Sequence, residues 1–274
     1  MNDFLISSFL NKNEIKTIFN IFKGKDIEIR FVGGCVRNII LGREINDIDC
    51  AVNIKLNLII EILKNKNIKF NDFAKKYGSI TAFVNDKKIE ITSLRKDFKQ
   101  QGRHTEIIHT SDWKIDARRR DFTMNAVYLK ADGSMVDYFG GIEDINKSKI
   151  KFINEIENRI KEDYLRIFRY YRFLGLFEKP IIIKGYEDML KKYSLESFNY
   201  LSNDIIRKEI LKMFKMPYPL NCFFSDLVKK EKRQWFKITK DHFKKNQYNI
   251  GLNKCLNRVP NLLIKLKIEL KKII

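Results

Sequence analysis

Residues 31–52 read FVGGCVRNIILGREINDIDCAV. An apolar stretch ends in a glycine pair, an arginine follows, and two aspartates stand one residue apart before the next apolar stretch. Glycines give up side-chain packing and close aspartates repel, so a fold tolerates this combination mainly where something charged has to sit between them. DIEIRFV (26–32) alternates and reads as a strand, GG breaks it, CVRNIIL (35–41) reads as a short helix, and DIDCAV (47–52) as the next strand. Strand residues i and i+2 share a face, so Asp47 and Asp49 present their carboxylates side by side while Ile48 turns into the core. All-oxygen ligation of this kind suits Mg2+, shared with substrate phosphates. Gly33 and Gly34 allow the backbone close to a phosphate, the following helix aims N–H groups at the anion, and Arg37 adds a bidentate contact. A lone D-x-D is a weak signal, most often a solvated turn. Strand, GG, helix and D-x-D in one short span are far more specific, because phosphate cradle and metal ligands arrive together.

The flanks extend an α/β pattern. Residues 1–23 fit an amphipathic helical start, and LNLIIEILKNK (56–66) is a further helix. SITAFV (79–84) and KKIEITSL (87–94) read as a hairpin turning at NDKK; AVYLKADGSMVDYFGG (126–141) holds two short strands around Asp132-Gly133. Glu90, in IEIT, is a candidate third carboxylate, since two-metal phosphoryl transfer usually needs one. An ordinary solvent-facing strand glutamate is the alternative. Residues 95–120 are polar and carry no clear pattern. From Glu155 onward the spacing is helical, punctuated by Pro180, Pro217, Pro219 and Pro260. The expected architecture is an α/β head over 1–150, a helical neck over 151–217 and a short basic helical region over 218–274.

The chain has 274 residues, 44% hydrophobic and 32% charged, which is a globular composition. No apolar run reaches the roughly 18 residues a membrane span needs, and nothing near Met1 resembles a secretory signal, so a cytoplasmic location without membrane attachment is expected. Four scattered cysteines with no CxxC pair, and three histidines, argue against a disulfide framework or a zinc site. The net charge of +20 implies a polyanionic partner, nucleic acid or an anionic membrane surface. A compositional bias towards lysine codons would account for much of the same excess. From Tyr218 to Ile274 there are 14 Lys and Arg against 4 Asp and Glu, interleaved with Phe223, Phe224, Trp235 and Phe236. That end suits a nucleic-acid backbone better than a small metabolite, although a solvated helical face has the same composition.

Two further clusters carry possible chemistry. In RRRDFTMNAV (118–127) the arginines can neutralise a triphosphate, and Asp121 or Asn125 can hydrogen-bond a ribose hydroxyl; basic residues favoured by a helix C-terminus are the plainer account. In EDYLRIFRYYRF (162–173), Asp163 and Arg166 are neighbours at i and i+3, and Arg169 and Arg172 continue the stripe. An Asp–Arg pair on a rigid helix has the donors and acceptors to read a base edge; intrahelical salt bridging is the bland alternative.

Taken in order, GGCVRN, DID, LRKDFKQQGRHTEI, RRRDFTMNA, YFGGIEDI and EDYLRIFRYYRF resemble the class II tRNA nucleotidyltransferase and bacterial poly(A) polymerase family, over roughly residues 26–215. LSNDIIRKEILKMF (201–214) resembles a further helix of that family. The resemblance implies a polymerase-β-type nucleotidyltransferase head with Mg2+ held by Asp47 and Asp49. Gly34, Arg37 and Arg120 would contact the nucleotide. Asp163 and Arg166 would form the amino-acid template that chooses C or A, supported by Arg169 and Arg172. Arg95 to His109 matches the flexible loop associated with adding A after CC. CCA addition to tRNA from CTP and ATP is the implied activity; poly(A) tailing, or RNA binding with weak catalysis, are the alternatives. The absence of a GRRFR-like run after the third strand favours the CCA branch. Two departures stand out: Asn38 occupies a position where the motif often has Asp, and only 57 residues follow Pro217, where the family continues with helical body and tail domains. The basic C-terminal end would then substitute as the grip on RNA.

Overall fold

A computed structural model describes residues 3–101 and 104–223. The described chain divides into two compact units, residues 1–147 with 151–154, and residues 148–150 with 155 onward.

The first unit opens with α1 (Asp3–Leu10) and α2 (Asn13–Ile21), whose Ile6, Phe9, Ile15 and Ile18 are buried at helical spacing. Then come β1 (Ile29–Val32), α3 (Gly34–Ile40), β2 (Ile48–Val52), α4 (Leu56–Asn65), β3 (Phe70–Asn71), β4 (Ser79–Val84) and β5 (Lys87–Ser93). After these follow β6 (Arg95–Gln101), β7 (His104–His109), α5 (Trp113–Arg119), β8 (Val127–Leu129), β9 (Met135–Asp137) and α6 (Gly141–Asn146). The main sheet has the order β3-β4-β5-β2-β1-β8-β9, with β2 and β5 parallel and its other neighbours antiparallel. The expected strand at 26–32 is shorter than its alternation suggests. Asp26 adopts a left-handed φ of 64° and Gly24 bridges to Ile27, so a tight turn occupies the first part. The hairpin between β4 and β5 turns on Asn85 and Asp86, with φ of 47° and 61°, the arrangement whose twist matches paired strands.

Strict alternation divides the sheet into two faces. Phe31, Ile48, Cys50, Val52, Ile80, Ala82, Ile89, Ile91, Val127 and Leu129 pack in one core with the residues of α1 and α2. Phe9 and Phe19 both meet Phe31 edge-on, at 5.1 and 5.2 Å. The opposite face carries a smaller core, in which Val32, Ala51 and Tyr128 pack with Trp113 and Ala117 of α5. Residues 95–109, unassigned from sequence and expected as a loop, form the antiparallel pair β6–β7 with a register shift between Phe98 and Gln101.

The second unit is helical: α7 (Ile156–Glu162), α8 (Leu165–Leu174), α9 (Tyr186–Ser194), α10 (Ser197–Tyr200), α11 (Asn203–Met213) and α12 (Pro219–Phe223). α8 packs against α11 and α12, with Ile167, Phe168, Tyr170, Ile206, Ile210 and Met213 buried. Tyr164 stacks on Tyr200 with ring centroids 4.5 Å apart. No helix among the described residues is long and apolar enough to cross a membrane. The basic region expected over 218–274 lies outside the described residues beyond Phe223.

Gly141, in the YFGGIEDI stretch, starts α6 beneath a cap in which the Asp137 carboxylate accepts the N–H groups of Gly141 and Ile142 at 3.0 and 2.9 Å. A Cβ there would stand 2.2 Å from the Thr123 carbonyl oxygen, an atom fixed in the backbone. Gly141→Ala should therefore destabilise the first unit by about 3 kcal/mol, as overpacking against an immovable neighbour does. A urea unfolding midpoint unchanged from the parent protein would contradict this packing.

Candidate active site

The first glycine of the pair works through its backbone. Gly33 has φ 80° and ψ −133°, a backbone state closed to residues with a Cβ. A Cβ at Gly33 would lie 3.5 Å from Asp49 Oδ2 and 3.9 Å from Arg120 Nη1; one at Gly34 would lie 3.7 Å from Arg37 Nη2. The turn is thus the floor on which one carboxylate and two guanidinium groups converge. α3 itself is only seven residues long, so its dipole adds little.

Asp49 lies directly beside Glu90 in the parallel pairing of β2 with β5, and Thr81 and Asn71 extend that row across β4 and β3. Asp47 falls one residue before β2 and is exposed, as is Glu90; Ile48 between the two aspartates is buried, as the alternation requires. Burial pushes the Asp49 carboxyl up to about 6, and the nearby charges of Glu90 and Asp47 add to this while Arg120 and Arg37 oppose it. This crowding of like charge is what a divalent cation relieves, and the donors are all oxygen, so the set fits Mg2+. Among the described residues no three His, Cys, Asp or Glu side chains are drawn together as a metal cluster. Glu90 therefore enters the site as a charged neighbour in the row rather than as part of a preformed three-carboxylate nest. A cavity of about 620 Å3 opens beside Asp47 on the side of α1, lined also by Leu5, Phe9, Lys12, Ile39 and Arg43, and it takes in none of Gly33, Arg37, Asp49 and Arg120.

Asp121 and Asn125 are buried, and a short relay explains them. Asn125 donates to Asp121 Oδ1 at 2.9 Å and accepts from Arg37 Nη1 at 2.7 Å. Asp121 Oδ1 also accepts the Phe122 N–H. Their geometry fixes Arg37. Asn38 accepts from Arg37 Nη2 at 3.2 Å and donates to the Glu44 carbonyl at 2.9 Å, so the neutral residue ties the glycine helix to the loop leading into Asp47.

Comparison with known proteins bears on this arrangement directly. The family described as Poly A polymerase head domain matches residues 29–151, the span that holds all of these groups. The chain is 40% identical over 168 residues to the human mitochondrial CCA tRNA nucleotidyltransferase 1, covering 61% of this chain and 39% of that protein. It is 32% identical over 246 residues to the CCA-adding enzyme of Lactobacillus gasseri, covering 85% of this chain and 56% of that protein. Among solved structures it is similar to the Bacillus stearothermophilus CCA-adding enzyme in complex with CTP, with a TM-score of 0.68 and 25% identity over 83% of this chain and 58% of that one. The Thermotoga maritima CCA-adding enzyme complexed with tRNA gives a TM-score of 0.61 and 25% identity, over 89% of this chain and 57% of that one. The chain thus spans from about two fifths to just over half the length of these relatives.

Within the head domain one group that sequence reasoning missed organises the arginines. Asp116, fully buried on α5, accepts from Arg119 Nε at 2.8 Å, Arg120 Nη2 at 3.1 Å, the Tyr128 hydroxyl at 2.8 Å and the backbone N–H of Arg95 at 3.3 Å. Its spacing of three and four residues from the two arginines was a readable signal. In the second unit, the expected Asp163–Arg166 pair on one helix is corrected. The chain breaks at Asp163, which has φ −153° and ψ 103°, and its Oδ1 accepts the Leu165 N–H at 3.0 Å as α8 begins. Buried Arg166 instead pairs with Glu162 at 2.6 Å and donates to the Arg159 carbonyl at 2.8 Å. Arg172 pairs with buried Glu209 of α11 at 2.9 Å, and the Arg169 guanidinium lies over Phe173 at 5.5 Å.

Burial alone would raise the Asp116 carboxyl, yet Arg119, Arg120 and the Tyr128 hydroxyl hold it far below the usual carboxylate range. A depressed value in the folded state stabilises the fold fully above the ordinary carboxylate pKa near 4, and the contribution drains as pH falls below it. Asp116→Asn should cost about 3 kcal/mol at pH 7, as removing one partner of a buried ion pair does. Denaturant titrations should show the gap from the parent protein narrowing below about pH 4; a gap independent of pH would exclude the ionised carboxylate as its source.

Proposed function

We propose that this chain is an RNA 3′-terminal nucleotidyltransferase that adds C and A to tRNA from CTP and ATP. The observation that carries the reading is the Asp49–Glu90 row facing Arg37 and Arg120 across a glycine turn, in a head domain whose relatives are named for CCA addition. Arg37 and Arg120 bind the triphosphate, held in place by Asn125 and Asp116, and the absent Cβ of Gly33 leaves room for a phosphate between them. Asp47 and Asp49 are the residues that would hold Mg2+, which when bound neutralises charge at the attacking and leaving oxygens. The bond formed joins the RNA 3′-oxygen to the α-phosphorus, and the bond broken releases pyrophosphate. No covalent enzyme intermediate is required, which accords with the burial of the Cys35, Cys50 and Cys222 thiols. Burial and the Asp49 charge push the Cys35 thiol up to about 11, away from reactivity.

Base choice belongs in this reading to Asp163 and Arg166, with Arg169 and Arg172 in support. The Glu162 and Glu209 pairs pre-set the Arg166 and Arg172 guanidinium planes, which suits reading an edge more than gripping a flexible chain. The basic residues 218–274 supply backbone affinity, and the proposed location is the cytosol. Poly(A) tailing is the second reading, favoured by the description of the matching family.

Sequencing the 3′ ends of tRNA transcripts lacking CCA, after incubation with protein, Mg2+, CTP and ATP, separates these readings. Ends that stop at CCA are expected; long A tails would move the protein to poly(A) synthesis, and no extension would leave only RNA binding. Asp47→Ala should reduce incorporation at least about 1000-fold without lowering the melting temperature, because Asp47 is exposed. Near-normal turnover by that variant would remove it from the metal site. Asp163→Ala should blur the choice between C and A more than it raises the KM for either triphosphate, and unchanged selectivity in paired CTP and ATP kinetics would count against a templating role.

A further inference from the structure

The face of the sheet that carries Asp49 continues outward across β5 and β4 to the edge strand β3, and this outer part has features the nucleotide site does not use. Register places Asn71, Thr81, Glu90 and Asp49 in one row. The next row holds Lys69, Phe83 and Lys88: Phe83 opposes Lys88 across β4–β5, and the Phe83 N–H donates to the Lys69 carbonyl at 2.8 Å. Both lysines are exposed, and Phe83 keeps 38% of its surface in water although its strand neighbours Ala82 and Val84 are buried. An aromatic side chain flanked by two lysines on an open strand face adds little to folding. Just beyond β3, Phe73 is 88% exposed, and the Lys76 ammonium stands 4.9 Å from the Tyr77 ring centroid.

We infer that this open face is the platform for the single-stranded 3′ end of the RNA, with Phe83 stacking on a base and Lys69 and Lys88 meeting the phosphates. The inference rests on the nucleotidyltransferase reading above. Three observations select this occupant. Cations and aromatics interleave, the combination that binds single strands without reading their sequence. The surface is polarised, with lysines and aromatics at the outer rows and carboxylates at the inner end, so a polyanion gains by lying outward while its terminus reaches Asp49. The platform is also continuous with the site, because Lys88 and Glu90 stand two residues apart on one face of β5 and Glu90 is in register with Asp49. A triphosphate alone does not need this length of surface.

The test measures binding of a fluorescein-labelled single-stranded RNA ending in CC, by anisotropy, alongside KM values for tRNA and for CTP, on the full chain. Phe83→Ala and the double variant Lys69→Ala with Lys88→Ala are compared with Leu58→Ala, a half-exposed residue of α4, as control. Loss of one stacked base predicts at least about tenfold weaker binding for Phe83→Ala, with KM for tRNA raised to match and KM for CTP within about twofold of the parent. The lysine variant should bind more weakly and lose about 1.4 units of the salt slope, whereas the control should not differ. Parent-like RNA affinity in Phe83→Ala would overturn the platform, as would a parent protein with no affinity for the oligonucleotide. A parent protein that binds RNA through Phe83 yet incorporates nothing would sustain the platform and overturn the nucleotidyltransferase reading, so the two fail separately.

Discussion

Two carboxylates in register on neighbouring parallel strands are the constraint around which the head domain is arranged. Asp49 and Glu90 sit one strand spacing apart, about 5 Å, where like charges at an effective dielectric near 20 repel by about 3 kcal/mol. The compensation is built in depth. Arg37 and Arg120 both reach the Gly33–Gly34 turn; Arg37 is fixed by Asn125 and Asp121, and Arg120 by Asp116 and the Tyr128 hydroxyl. Trp113 stands edge-on to Tyr128 at 5.3 Å, which carries the support into the smaller core. Each arginine thus has one end in the packed interior and the other beside a carboxylate.

The second unit repeats this logic with acids of the opposite task. Glu162 and Glu209 take up the arginines of α8, at 2.6 and 2.9 Å, and the helix break at Asp163 frees that residue from the salt-bridge pattern its spacing suggested. Guanidinium groups held this way lose little further freedom when they meet a planar partner, whereas unpaired arginines would have to be ordered at each binding event. The fixed position of Arg166 and Arg172 is therefore a property of their acidic partners, Glu162 and Glu209.

Legibility followed the range of the interaction concerned. The strand–glycine–helix–strand order and the hairpin around Asn85-Asp86 depend on neighbours within a few residues, and each is present as the spacing predicts, whereas Asp47 falls just before the strand that carries Asp49. Residues 95–109 carried no apolar period because their two strands pair only with each other and the described residues of their inner face, Arg95, Asp97, Ile107 and His109, are only half-buried, which polar side chains tolerate. Asp116 was legible through its spacing from Arg119 and Arg120. Nothing local marks Glu209 as the partner of Arg172, since the two lie on different helices.

The sequence by itself determined the head, its glycine turn and the identity of its acidic and basic groups, because period-two alternation and glycine's conformational range act over a handful of bonds. Only the tertiary structure decided which acid meets which base. Glu90 comes beside Asp49 through a parallel pairing that joins strands some forty residues apart, Asn125 reaches Arg37 across 88 residues of sequence because β8 pairs with β1, and Arg166 turns to Glu162 in place of Asp163. Charge pairing is set by distance in space, and the chain's spacing records that distance only where both partners share one element.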